Sequence, residues 1–294
     1  MRRALVVILC ASGLFAQRRL KVFISADMEG VAGVVSPGQL TPGSFEYERF
    51  RVFMTQEVLA AIEGVREAGA AEFVVADSHG NEQNLLIEKF PADVRIVRGE
   101  PRQLGMMAGI DSTFDAAMFV GYHASTHNVS GVRAHTFSSA RLTRVALNGQ
   151  PVTEGAWNAA IAGQFGVPVI FVSGDDAAVA EVRSAIGNIQ YAETKRTLGF
   201  HSAETKTPEA AQKLIRERAA AAVRAISSAK PYRIAMPVTI DISFKSITPA
   251  EAACYLARVF TRTDSHSIRF TAKDMAETSS IFEFLMAYRL DLEP

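Results

Sequence analysis

Six residues, Ser25-Ala26-Asp27-Met28-Glu29-Gly30, put two carboxylates where an apolar run, Leu20 to Ile24, comes to an end. The run has strand character, and in extended backbone residues two apart project to the same side, so Asp27 and Glu29 point together. Two anions that close repel each other unless a cation lies between them. An acidic turn facing water and a metal site both fit these six residues. Neutral nitrogen ligands arriving from elsewhere in the chain would separate the two readings. Gly30, lacking a side chain, lets the loop turn away and leave a metal face open.

Two histidines stand in equivalent places. Glu72 to Ala76 reads as a short buried strand and ends at Asp77-Ser78-His79, and Ala116 to Val120 reads as a second that ends at Gly121-Tyr122-His123. A lone histidine after a strand is often only a hydrogen-bonded loop residue. In open α/β sheets, however, the functional crevice lies outside the carboxyl ends of the strands, so ligands from three strand ends converge without being close in sequence. Glu154, where a hairpin passes into a helix, is a fifth candidate, although the helix dipole alone favours an acid there. Three carboxylates with two imidazoles suit one or two divalent ions such as Zn²⁺ or Mn²⁺ better than Ca²⁺, which prefers oxygen ligands. With two ions one carboxylate must bridge, and Asp27 at the strand tip is the choice.

His135 lies in the polar loop before the hairpin rather than at a strand end. Its candidate roles are general acid/base, stabiliser of a developing oxyanion, or attacking imidazole; the plain alternative is a surface histidine. His127 shares that loop with less to recommend it, and His201 and His266 have no ligand-like neighbours. Asp77 is a candidate acceptor that orients His79 or a nearby ligand. A Walker A sequence, a G-x-G-x-x-G after the first strand, an H-E-x-x-H and a G-x-S-x-G elbow are all missing, which argues against nucleotide enzymes, zincins and α/β-hydrolases.

The elements that must carry these groups alternate. An amphipathic helix spans Phe45 to Gly69, with apolar residues at Phe50, Met54, Val58, Ile62 and Val65, and with the strands around it makes a right-handed βαβ unit. The pattern predicts a helix at Glu82 to Phe90, strands at Val94 to Val97 and Val167 to Val172, and a hairpin turn at Asn148-Gly149. Further helices follow Glu154, Asp175 and the Thr207-Pro208 cap. After a linker at Ser227 to Pro231 come a long strand from Arg233 to Phe244, a helix after Thr248 that takes in Cys254, a strand at Ser267 to Thr271, and a final helix from about Asp274. The expected fold is α/β, a mostly parallel or mixed sheet flanked by helices. Residues 20–226 are expected to form the catalytic domain, and residues 232–294 a smaller α+β domain or subunit-contact layer.

At 294 residues and 48% hydrophobic, the chain can bury a substantial core. Basic and acidic residues balance at 31 each, so no basic field exists to gather nucleic acid. Met1-Arg-Arg, an apolar run from Ala4 to Ala16 and then Gln17-Arg-Arg match a secretory signal peptide, with Leu14 imperfect before the cut; a buried first strand is the alternative. The run is short for a membrane span. We therefore expect a periplasmic or secreted protein without a span in its mature form, or a cytoplasmic one if the leader is not functional.

With these residues in view, the sequence resembles the D-aminopeptidase (DppA-like) family of dizinc peptidases from about Lys21 almost to the C-terminus. The motifs are Ser-x-Asp-Met-Glu-Gly at Ser25 to Gly30, Asp-Ser-His at Asp77 to His79, Gly-Tyr-His at Gly121 to His123, then His135 and Glu154. The resemblance implies that Asp27 bridges two zinc ions per subunit, that Glu29, His79, His123 and Glu154 complete the ligand set, and that His135 is the catalytic histidine. It also implies removal of N-terminal, preferentially D-, amino acids from short peptides or amides, and a homo-oligomer that is a decameric ring around an internal chamber. The chain departs from the family in its leader and in Val132-Arg-Ala-His-Thr136, where a more hydroxyl-rich surrounding is expected. Two competing readings are a metallophosphoesterase or other amidohydrolase with the same site, and an exported peptide-binding protein whose metal is structural.

Overall fold

The computed structural model describes residues 19–69 and 71–288; the expected signal peptide lies outside them. β1 (Leu20–Ala26) leads through a loop holding one helical turn, α1 (Pro37–Leu40), to α2 (Tyr47–Ala68). β2 (Ala71–Asp77), β3 (Val94–Val97) and β4 (Ala116–Tyr122) follow, then the hairpin of β5 (Leu142–Leu147) and β6 (Gln150–Pro151). Next come α3 (Glu154–Gln164), β7 (Val169–Asp175), α4 (Asp176–Ile186), β8 (Gln190–Gly199), β9 (Ser202–Thr205) and α5 (Pro208–Arg224). The C-terminal part holds β10 (Val238–Phe244), α6 (Ile247–Ala253), β11 (Thr261–Asp264), β12 (Ser267–Ala272) and α7 (Met275–Ala287).

The main sheet has the order β3-β2-β1-β4-β7-β8-β9. Its neighbours pair in parallel except β8 with β9. Both faces are covered, and the strand sequences show it. In β1, Val22, Ile24 and Ala26 pack into the layer of α2 and α5, whereas Phe23 points into the opposite layer. The same alternation divides Met118 and Val120 from Ala117 and Phe119 in β4. The predicted apolar stripe of α2, from Phe50 to Val65, is buried as expected. On the far face a second, antiparallel sheet of order β11-β12-β10-β5-β6 shares a core with α3 and α7 through Trp157, Phe270 and Phe282. This sheet draws β5 and β6 from mid-chain, so the last sixty residues build onto the hairpin.

Several expected elements differ. Glu82 to Phe90 is a turn and loop with a single 3₁₀ turn at Ile87–Lys89, because the Asp77 carboxylate takes the backbone N–H groups of Asn84 and Leu85 that a helix would have used. β10 begins at Val238 rather than Arg233, since Pro237 has no N–H for the ladder. α6 stops at Ala253, and Tyr255, Leu256 and Val259 beyond it are exposed rather than forming a buried stripe, so partly buried Cys254 caps a short helix. Between Ala185 and Thr207, where the periodicity predicts no element, β8 and β9 close the sheet. Among the described residues no helix is long and apolar enough to cross a membrane.

Candidate metal centre

β1 passes its connection to β2 on one side while β4 lies on its other side. The chain direction therefore switches beside the carboxyl end of β1, where an open α/β sheet leaves a crevice. Backbone pairing runs past the strand ends to build it: Asp27 N–H donates to Val120 O (2.8 Å), Ser78 N–H to Ala26 O (2.8 Å) and Gly30 N–H to Gly121 O (2.7 Å). A Cβ at Gly30 would collide with the backbone of Gly121 and Tyr122. Glycine is thus required here by the close approach of two strand ends rather than to clear an open metal face.

The six predicted site residues come together in two groups, Asp27, Glu29 and His79, and His123, His135 and Glu154. His79 Nδ1 lies 2.9 Å from Glu29 Oε2 and 3.4 Å from Asp27 Oδ1. His123 Nε2 lies 3.4 Å from Asp27 Oδ2 and 3.3 Å from Glu154 Oε1. Asp27 therefore presents one oxygen to each group. Thr153 caps α3 by accepting from Ala156 N–H, which makes Glu154 the first helical residue, and Glu154 Oε1 also accepts from Phe137 N–H at 2.6 Å.

Main-chain carbonyls set the tautomers. His79 Nε2 faces Leu40 O (3.0 Å), His123 Nδ1 faces Ala124 O (3.0 Å) and His135 Nδ1 faces Arg133 O (2.8 Å). A carbonyl oxygen only accepts, so each of these nitrogens carries the hydrogen, and the other nitrogen turns its lone pair inward. For His79 and His123 that lone pair meets carboxylate oxygens. The contact is favourable only with a proton or a metal ion between them.

The charges follow from this. Burial, then the neighbouring Glu29 carboxylate, pushes Asp27 up to about 7. Burial also opposes the charge on His79 and His123, but Glu29 and Glu154 respectively outweigh it and raise both imidazoles well above the usual histidine range. The same pairings outweigh burial at the carboxylates and hold Glu29 and Glu154 down. His135 behaves differently: burial, then the His123 charge, lowers it and keeps it neutral. Asp27 Oδ2 is buried and has no hydrogen-bond partner. Three buried carboxylates, inward lone pairs and an orphaned carboxylate oxygen fit borderline divalent ions.

Supporting groups were partly hidden in the sequence. Asp77 binds Asn84 Nδ2 and the backbone of Asn84 and Leu85, and so shapes the turn after His79 rather than orienting its ring. The ring is oriented by Leu40 O, for which a sequence offers no signal. Lys195 on β8 is buried, and its Nζ donates to Glu29 O, Val31 O and Val34 O, fastening the loop that carries Glu29. Tyr122 Oη donates to Ser25 Oγ (2.7 Å), which lies 2.9 Å from Ser78 Oγ, so hydroxyls join the three strand ends beneath the site. The Arg133 guanidinium lies over the Phe200 ring, 5.2 Å away. His127 is exposed, and His201 Nδ1 donates to Val35 O (3.0 Å), outside both groups. A cleft of about 570 Å³ opens over the centre, walled by Glu82, Glu100, Phe137, Arg141, Phe282 and Glu283 as well as the site residues.

A family model described as D-aminopeptidase matches residues 20–284. The chain belongs to the D-aminopeptidase family. It is 32% identical over 258 residues to the D-aminopeptidase of Bacillus subtilis (strain 168), covering 88% of this chain and 93% of that protein. Among solved structures it is similar to the Zn-dependent D-aminopeptidase DppA from Bacillus subtilis, described as a self-compartmentalizing protease. That likeness has a TM-score of 0.86 at 30% identity and covers 93% of this chain and 100% of the other. The residues matched by the family model, 20–284, span the strands of both sheets.

Proposed function

We propose that this chain is a zinc-dependent aminopeptidase that removes N-terminal amino acids, D-residues by preference, from short peptides or amides at a dinuclear site. The observation that carries the reading is the division of Asp27, with Oδ1 toward His79 and Oδ2 toward His123. One ion would be held by Asp27, Glu29 and His79, the other by Asp27, His123 and Glu154. When bound, zinc supplies Lewis acidity to a carbonyl and lowers the pKa of water from about 15.7 toward about 7.

The chain's own residues do the rest. His135, with its hydrogen held at Nδ1 by Arg133 O, keeps Nε2 free to take a proton from the attacking water and return it to the departing amine. Its ring is held in place by His123, parallel at 4.0 Å between centroids. Phe137 and Phe282 on the cleft wall limit water around the scissile bond.

The Bacillus relative's self-compartmentalizing character supports a homo-oligomer here, for which we propose a decameric ring. Exposed Tyr255, Leu256 and Val259 offer an apolar face for such contacts. Export by a cleaved leader is also our proposal, resting on the composition of residues 1–16. It predicts that the mature N-terminus is not Met1.

Zinc-loaded protein tested on D- and L-aminoacyl amides and on phosphate esters decides the activity. We expect amide turnover with D over L. Phosphate-ester turnover without amide turnover would overturn the reading.

A further inference from the structure

The acidic wall of the cleft takes no part in the chemistry above. Glu82, Glu100 and Glu283 line it beside two guanidinium groups, Arg102 near Glu82 and Arg141 near the end of α7. Both guanidiniums are already engaged with the main chain. Arg102 donates to Asp77 O (2.6 Å) and Gly105 O (2.9 Å) while its Nη2 lies 3.0 Å from Glu82 Oε1. Arg141 donates to Met286 O and Leu285 O. The carboxylates outnumber the cations.

Two further features show that the wall is built rather than merely acidic. Glu82 is only 7% exposed, lines the cleft, and its Oε2 has no hydrogen-bond partner, an arrangement that is unfavourable unless a donor arrives. Gly105, at φ +48°, makes room for the second carboxylate, since any side chain there would overlap the carboxylate of Glu283. Burial, then the Glu100 charge, pushes Glu283 up to about 7, as expected of a carboxyl short of counter-charge.

We propose that this wall is the subsite for a positively charged substrate side chain, an ammonium or guanidinium on a lysine-, ornithine- or arginine-like residue. The proposal rests on the aminopeptidase reading and names its preferred substrate class. The substrate's α-ammonium lies one carbon from the scissile carbonyl and so must sit close to the metal centre. Glu100 and Glu283 instead belong to the loop before Gly105 and to α7, neither of which bears a ligand, and Glu82 closes the turn that begins at His79, its N–H donating to His79 O (2.8 Å). Met106, Pro101, Phe282 and Met286 line the same cleft and suit the methylene stem of a long cationic side chain.

The test compares kcat/KM of the zinc-loaded full-length protein on lysine, norleucine and glutamate amides, each as D and L isomers. Lysine and norleucine have similar stems and differ in charge. We expect lysine to exceed norleucine by about tenfold or more, the scale of one charge-assisted hydrogen bond, with glutamate last. In Glu82→Gln and Glu283→Gln the lysine-to-norleucine ratio should fall toward one, whatever the absolute rates. A wild-type ratio near one, or equal losses on all three side chains in the variants, overturns the proposal; the second result would assign the wall to the α-ammonium. If no amide turns over, the aminopeptidase reading falls. Calorimetric binding of lysinamide against norleucinamide then still decides the subsite, with equal affinities contradicting it.

Discussion

The imidazoles of His123 and His135 lie parallel, with ring centroids 4.0 Å apart and planes within 8° of each other. Stacked so closely, the two rings cannot both be cationic at low cost, and the molecule assigns them different states. His123 is aimed at Asp27 and Glu154, which stabilise a charge or a metal at its Nε2. His135, 3.9 Å from Glu154 Oε1, is lowered and stays neutral. In the proposed mechanism a ligand and a proton carrier thus sit face to face.

Replacing the two should therefore separate metal binding from turnover. His135→Gln is expected to retain bound zinc and to lose about 10²- to 10⁴-fold in kcat, the usual contribution of a positioned acid/base. His123→Gln should lose zinc as well. Elemental analysis beside amide kinetics checks both, and zinc loss in His135→Gln would make it a ligand instead.

Asp27→Asn removes the charge shared by the two groups while keeping its shape. Both ions should weaken together, whereas Glu29→Gln should weaken the site at His79 and Glu154→Gln the site at His123. Isothermal zinc titration of the three variants distinguishes these patterns. Selective loss of one ion in Asp27→Asn would place the bridge elsewhere.

The pH dependence has a definite sign in the metal-free protein. His79 and His123 are raised on folding, so the stability they contribute is complete below about 6.5 and is lost as pH rises through their elevated values. Asp27 is raised from 3.8 to about 7, so the folded state binds the extra proton in that interval and stability again falls as pH rises. Metal-free protein should melt at lower temperature as pH goes from about 6 to about 9. Zinc replaces those protons, so its stabilisation should grow over the same range; it amounts to about 2.7 kcal/mol per site wherever free zinc is a hundredfold above Kd. Differential scanning fluorimetry with and without zinc measures this, and a zinc effect that shrinks with rising pH would contradict it.

Lys195 is a buried ammonium whose three donors meet three loop carbonyls. Lys195→Met leaves those carbonyls without their donor, and leaving a buried acceptor unsatisfied costs about 1–3 kcal/mol. The urea midpoint should fall accordingly, with zinc affinity falling because Glu29 sits on the released loop. A change within about 0.5 kcal/mol, the range of ordinary surface substitutions, would mean that the loop holds its shape unaided.

Much of this site is legible in the sequence because its candidate ligands follow recognisable strands: β1, β2 and β4 are apolar runs, with Asp27 and His123 directly past β1 and β4 and His79 two residues past β2. Glu154 is visible through the Asn148-Gly149 turn and the Thr153 cap. The groups that orient those ligands are far less legible. Leu40 O, Ala124 O and Arg133 O act through the main chain, which every residue possesses. Lys195 lies in a polar alternating stretch that reads as exposed, and its burial depends on β8 pairing with β7. The loss of the helix after Glu82 has the same origin, a long-range competitor, Asp77, taking backbone donors that local periodicity assigns to itself.

The most direct measurement is the zinc stoichiometry of metal-free protein titrated to saturation, with D-alaninamide hydrolysis followed in parallel. A centre organised on Asp27 predicts two zinc ions per chain and full activity only when both are bound. Saturation at one ion, or full activity with one, would contradict it.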